Sequence, residues 1–205
     1  TAYRFLGELL PHPDVGAMLL VEVDGNSQEQ VEAEYEAVAE LCLEAGALDV
    51  YVGNTADTER KMWRPRQNLA EAFKAISPVQ SLEDVVVPMA QIPALMPELD
   101  RLGQEYGVLI PCYGHAGDGN LHATPIKRPE MPLEEWHARL PSLLADLYGV
   151  VARLGGTISG EHGVGSKRAA YLPLVMDPLL IDLQRRIKAV FDPNNILNPD
   201  KIFPA

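Results

Sequence analysis

The chain has 205 residues, enough for one domain with appendages and a sizeable core. Hydrophobic residues make up 47% and charged residues 22%, the balance of a soluble globular chain, and no apolar run approaches the ~20 residues of a membrane span. With 17 basic against 29 acidic residues the formal net charge is -12, which excludes nucleic acid as the default partner because phosphate binding needs a basic patch.

Residues 1–13 read as a short amphipathic segment, with Tyr3, Phe5, Leu6, Leu9 and Leu10 closed by Pro11 and Pro13. The sequence opens on Thr1 in helix-like sequence without Met, as expected of a piece of a longer protein. Residues 17–25 predict a strand ending in a turn. Asn26 or Ser27 then caps a helix with Val31, Tyr35, Val38, Leu41 and Cys42 near helical spacing and Gly46 as its stop. A second strand over 47–52 completes a β–α–β unit. Residues 57–75 predict a helix in which Pro65 marks a kink or the true first turn. The β-branched run 81–88 predicts a third strand, stopped by Pro88. A helix follows over 92–106, with Leu95, Met96, Leu99 and Leu102 on one face. Residues 108–126 predict a hairpin turning at Gly117-Asp118-Gly119-Asn120. A long helix over 133–154 ends at Gly155-Gly156. A Gly-rich loop, a helix over 178–191 and an Asn/Pro-rich tail close the chain. The pattern is α+β: a ferredoxin-like, mainly antiparallel sheet with helices on one face, plus a helical C-terminal segment. It divides into residues 1–155 and 156–205.

The hairpin puts His115 and His122 on its two strands beside the turn, which aims two imidazoles at one point. Glu161, in Ser159-Gly160-Glu161-His162-Gly163-Val164-Gly165, offers a carboxylate. Two imidazoles and one carboxylate suit zinc, manganese or iron(II) with open positions for water or substrate. The alternative is that each histidine satisfies a backbone group near its turn. Neighbours in an extended loop point different ways, so His162 faces a substrate as a general base or makes a loop hydrogen bond. Arg66 has the guanidinium that grips a carboxylate bidentately, yet among Arg60, Lys61 and Arg64 it reads better as a surface arginine. Lys167 and Arg168 either balance an anion or, the better reading, are solvated charges. Cys42 and Cys112 lack a paired spacing, so a reducing compartment is expected. No dinucleotide fingerprint, P-loop or nucleophile elbow is present.

Three blocks occur in order: His115-Ala116-Gly117-Asp118-Gly119-Asn120-Leu121-His122, Gly160-Glu161-His162-Gly163-Val164-Gly165-Ser166-Lys167-Arg168, and Phe191-Asp192-Pro193-Asn194-Asn195-Ile196-Leu197-Asn198-Pro199-Asp200-Lys201. Together they resemble the C-terminal half of the FAD-linked 2-hydroxy-acid dehydrogenases. This is the glycolate oxidase D-subunit, D-lactate dehydrogenase and D-2-hydroxyglutarate dehydrogenase group, of the vanillyl-alcohol-oxidase type of flavoproteins. Trp63-x-x-Arg66 and the stretch 83–88 resemble the same family. The resemblance implies oxidation of a D-2-hydroxy acid to the 2-oxo acid, with hydride passing to FAD. It implies that His115, His122 and Glu161 bind a divalent metal, commonly zinc, that His162 is the base, and that Arg66 clamps the substrate carboxylate. It implies that Asn120 and Asn198 approach the flavin or its substrate face. It makes residues 1–155 the substrate (cap) domain and 156–205 the segment that returns to an FAD-binding half. That half is expected outside this sequence, so these residues alone are expected to bind FAD weakly and to be inactive.

The sequence departs from dicarboxylate-selective members, which carry Thr at the position of Ala70, Asn at Thr124 and Lys at Ser81. A small monocarboxylate such as glycolate or lactate is therefore expected, with Thr124 at the substrate. The implied partners are the 2-hydroxy acid and an electron acceptor, either a protein or a quinone, with homo-oligomers or partner subunits open. The expected location is cytoplasmic, or peripheral at a membrane through partner subunits. Two other readings use the same ligands: a non-enzymatic metal-binding module with an assembly or regulatory role, and a hydrolytic metalloenzyme.

Overall fold

A computed structural model describes residues 6–7 and 15–203 of the chain; apart from residues 6 and 7, the amphipathic segment predicted over 1–13 lies outside the described residues. The chain forms two compact units, Thr1–Ala75 and Ile76–Ala205.

In the first unit, α1 spans Gln28–Glu44. Its N-cap is Ser27, whose hydroxyl accepts the Gln30 N–H at 3.2 Å, satisfying one of the donors a helix start leaves open. Gly46 stands at φ 94 just beyond the helix end, a conformation glycine adopts without strain. Helix α2 (Ala56–Gln67) starts from a reciprocal cap in which the Thr55 and Thr58 side chains each accept the other's backbone N–H. The helix predicted over 57–75 is in fact two. It runs through Pro65 and breaks at Asn68, whose side-chain amide donates to the Arg64 carbonyl at 2.8 Å; α3 (Leu69–Lys74) follows. The strands predicted over 17–25 and 47–52 do not form. Among the described residues no ladder reaches either segment. Most of their apolar side chains, Leu19 and Leu48 among them, are exposed to solvent, and none is fully buried. A strand needs a partner's backbone and a face to bury, and here alternation stands without either.

The second unit holds an antiparallel sheet of β1 (Glu83–Val86), β2 (Cys112–His115) and β3 (Asn120–Ala123), in the order β1-β3-β2. The α+β class and the antiparallel sheet are as expected, with three strands among the described residues, since the two segments of the first unit add none. Bridges at Leu109↔Ile126 and Gln80↔Ile126 extend the pairing beyond the strands, so the predicted hairpin stands. Helices α4 (Ile92–Tyr106), α5 (Leu133–Arg153) and α6 (Pro178–Phe191) complete the unit. Val85, Leu121 and Ala123 of the sheet pack in one core with Leu95, Leu99 and Leu102 of α4 and Leu143, Leu147 and Val151 of α5. Ile158, Leu172 and Ile181 join that core from the C-terminal segment. Helix α4 stops at Gly107, which caps it at φ 69. Among the described residues no helix is long and apolar enough to cross a membrane.

Leu147 of α5 is 0% exposed, in the core that α5 shares with the sheet and α4. Leu147→Ala is expected to cost about 2–5 kcal/mol in urea unfolding; a loss below about 1 kcal/mol would contradict its place in the core.

Candidate active site

The register of the sheet sets out the site. Asp84 pairs with His122 and His122 with Tyr113; one row further on, Val86 pairs with Asn120 and Asn120 with His115. Alternation puts these six on the face opposite Val85 and Leu121, which enter the core. The Tyr113 and His122 rings lie 5.2 Å apart. His122 is buried and His115 is exposed. The turn between them is tied by the Gly119 N–H on the His115 carbonyl at 3.1 Å and by the Asn120 N–H on Asp118 Oδ1 at 2.9 Å. Gly119 has φ 75, and a Cβ there would stand 2.0 Å from the Val87 carbonyl oxygen, so only glycine fits.

The second half of the site is a loop along the free edge of β1. Thr157 and Val86 exchange two backbone hydrogen bonds, of 3.0 and 2.9 Å. The chain then folds around Asp84. Its Oδ2 accepts the Ser159 hydroxyl at 3.1 Å and the backbone N–H groups of Gly160, Glu161 and His162 at 3.0, 2.9 and 2.8 Å. Its Oδ1 accepts the Asn120 side-chain amide at 3.1 Å. Burial works against the Asp84 charge, but the His162 and Glu161 N–H groups, the Asn120 amide and the Ser159 hydroxyl outweigh it and hold the carboxyl down at about 2. A Cβ on Gly160 would stand 1.8 Å from Asn120 Nδ2, so this close passage also requires glycine.

The far end of the loop is fixed by the neighbouring acid. Glu83 is fully buried, and it accepts the Ser81 hydroxyl at 2.6 Å, the Tyr148 hydroxyl, and Lys167 Nζ at 2.7 Å. Arg168 Nε lies 3.6 Å from the same carboxylate, and the guanidinium also donates to the Leu82 and Gly163 carbonyls. The reading of Lys167 and Arg168 as solvated charges is therefore corrected. Arg168 is buried, and both cations neutralise a carboxylate that could not otherwise stand in the core. Asp84 and Glu83 are not among the site residues expected from the sequence. The signals for them are two adjacent acids inside an otherwise β-branched strand and the family resemblance of the stretch 83–88.

Four of the expected site residues come together. His115 Nε2 is 3.9 Å from Glu161 Oε1, and His162 Nε2 is 3.7 Å from Glu161 Oε2. The His122 and His162 rings are 5.7 Å apart. Ligand atoms of Asp84, His122 and His162 also fall within 4.8 Å of one another, but Asp84 Oδ2 already takes four donors. Glu161 is the carboxylate turned toward the imidazoles. By chemistry two imidazoles and a carboxylate are a donor set that fits a divalent metal; the imidazoles nearest this carboxylate are those of His115 and His162, and His122 joins them through its ring contact with His162. Asn120 is buried beside the cluster, with Oδ1 lacking a partner among the described residues, and Thr124, just past β3, is buried with its hydroxyl likewise unpartnered. Asn198 stands exposed in the tail at φ 47, and no described hydrogen bond ties it to the cluster. Arg66 lies half-buried on α2, in the other unit.

The family model of FAD linked oxidases, C-terminal domain, matches residues 4–202. The chain is 37% identical over 204 residues to a D-lactate dehydrogenase of Anaerostipes hadrus, covering 97% of this chain and 43% of that protein. It is 35% identical over 187 residues to the glycolate oxidase subunit GlcD of Bacillus subtilis (strain 168), covering 91% and 39%. It is 33% identical over 189 residues to a D-2-hydroxyglutarate dehydrogenase of Stutzerimonas stutzeri, covering 91% and 40%. The chain thus spans about two fifths of the length of these relatives.

Because the Asp84 carboxyl titrates below its ordinary 3.8 in the folded chain, its contribution to stability is full above that value and is lost as the pH falls through about 2. The difference in unfolding free energy between wild type and Asp84→Asn is expected to be constant above about pH 4 and to shrink as the pH falls from there toward 2. A difference that already shrinks near pH ~6, where an ordinary carboxylate is fully charged, would contradict this.

Proposed function

This chain belongs to the family of C-terminal domains of FAD-linked oxidases, and from that premise we propose that it is the substrate-side part of a flavin-dependent enzyme. The enzyme oxidises a small D-2-hydroxy acid, of the glycolate or D-lactate type, to the 2-oxo acid. The observation that supports this reading is the approach of Glu161 to His115 and His162, with the His122 ring 5.7 Å from that of His162. Family membership does not favour the non-enzymatic alternative.

In this proposal His115, His122 and Glu161 hold a divalent metal, zinc by preference, which when bound orients the substrate hydroxyl and makes it more acidic. FAD, held mainly by another part of the enzyme, supplies the hydride acceptor. His162 takes the hydroxyl proton at Nε2. Its place beside Glu161 keeps the resulting imidazolium next to a carboxylate. The substrate loses one proton to His162 and one hydride, which is the full balance from hydroxy acid to oxo acid. Arg66 is assigned the substrate carboxylate on the resemblance, as are Asn120 and Asn198 the approach to the flavin. The division at residue 155 between cap domain and returning segment rests on the same ground. Re-oxidation then falls to a protein or quinone acceptor.

Two features support a monocarboxylate. Ser81 is buried and donates to Glu83 at 2.6 Å, so it is engaged away from a second substrate carboxylate. Thr124 presents a hydroxyl where dicarboxylate-selective members carry an amide.

Steady-state assays of the full-length enzyme are expected to give kcat/KM for glycolate or D-lactate at least about ten-fold above that for D-2-hydroxyglutarate; the reverse order would contradict the assignment. His162→Gln is expected to lower kcat by about 10²–10⁴-fold with bound metal retained. By elemental analysis, His115→Ala is expected to lose the metal, and equal metal in wild type and variant would remove His115 from the ligand set.

A further inference from the structure

We propose that Asp84 is the positioning residue of this site: its carboxylate fixes the backbone of residues 159–162 so that Glu161 and His162 are presented together to the histidines of the hairpin. The activity arm of the test rests on the function proposed above; the structural arm does not. Three consecutive N–H groups converge on one oxygen, at 3.0, 2.9 and 2.8 Å. With the backbone held that way, the two side chains stand side by side, His162 Nε2 3.7 Å from Glu161 Oε2, and each also faces a histidine of the hairpin. Glu161 reaches toward His115, at 3.9 Å, and His162 lies against His122, at 5.7 Å between rings.

Nothing apolar does this work. Between Ile158 and Val164 the sequence is Ser-Gly-Glu-His-Gly, and Glu161 and His162 are exposed. The position of the loop is therefore set by polar bonds. Asp84 also reaches the hairpin, because its second oxygen accepts the Asn120 amide from β3 at 3.1 Å. One carboxylate thus spans the two segments that supply the site. Gly160 belongs to the same device, since a side chain there would collide with Asn120 at 1.8 Å and lift the loop off the carboxylate.

The test uses the full-length enzyme carrying Asp84→Ala, Asp84→Asn or Gly160→Ala. Hydrogen exchange is followed in peptides covering residues 157–166 and α5, with steady-state kinetics alongside. Asp84→Ala is expected to speed exchange in 157–166 while α5 is unchanged, and to lower kcat about 10²-fold with KM within about three-fold. Asp84→Asn keeps an oxygen for the three N–H groups and is expected to recover kcat to within about ten-fold of wild type. Gly160→Ala leaves the carboxylate in place and is expected to reproduce the faster loop exchange, which keeps the test open if Asp84→Ala does not fold. Unchanged loop exchange in both Asp84→Ala and Gly160→Ala would overturn the proposal, as would α5 exchange rising as much as that of the loop. A wild-type enzyme inactive on 2-hydroxy acids would defeat the functional reading, while the exchange measurement would still decide on Asp84.

Discussion

Asp84 Oδ2 accepts four donors from residues 159–162, and Asp84 Oδ1 a fifth from Asn120. A carboxylate with no solvent exposure is costly to bury unless its charge is met by donors. Here the donors are themselves the loop that bears Glu161 and His162. The cost of burying the charge and the order of the loop are met by the same bonds, so neither stands without the other. Glycine at 160 and 119 lets the backbone approach that closely.

Strand β1 is thus the frame of the site, although it is only four residues long. Its alternation turns Asp84 to the site face and Glu83 to the core face. Asp84 ties the near end of the loop and Glu83, through Lys167 and Arg168, the far end. Thr157 pairs along the edge of β1 at Val86, which covers a row of backbone groups that would otherwise be open to pairing. The other edge of β3 belongs to β2, and that pairing brings His115 across from Asn120. Glu161 then lies in reach of both exposed histidines. If a metal is held there as proposed, the site it occupies is assembled from two segments some forty residues apart in sequence that share one strand.

Much of this was legible beforehand. The turn residues Gly117 to Asn120 announced the hairpin, because few sequences tolerate the backbone of that reversal, and the hairpin aligned the histidines. The helices of the second unit followed from clear 3.6-residue spacing, as at Leu95, Leu99 and Leu102. The segments over 17–25 and 47–52 form no strand because an apolar, β-prone run records a tendency to bury one face and says nothing of whether a partner strand is at hand. The buried acids were hidden for a different reason. Composition treats Asp and Glu as surface residues, and only the fold reveals that Lys167, Arg168 and three N–H groups arrive to meet them.

The chemistry proposed here requires the hairpin and the loop to converge on a single centre, and cobalt(II) tests this directly. In the full-length protein loaded with cobalt(II) as its divalent metal, visible absorption bands characteristic of mixed nitrogen and oxygen ligation are expected. His122→Ala in the hairpin and Glu161→Ala in the loop should each alter those bands. A spectrum left unchanged by either substitution would show that the two segments do not share a metal, and would contradict the assembly described.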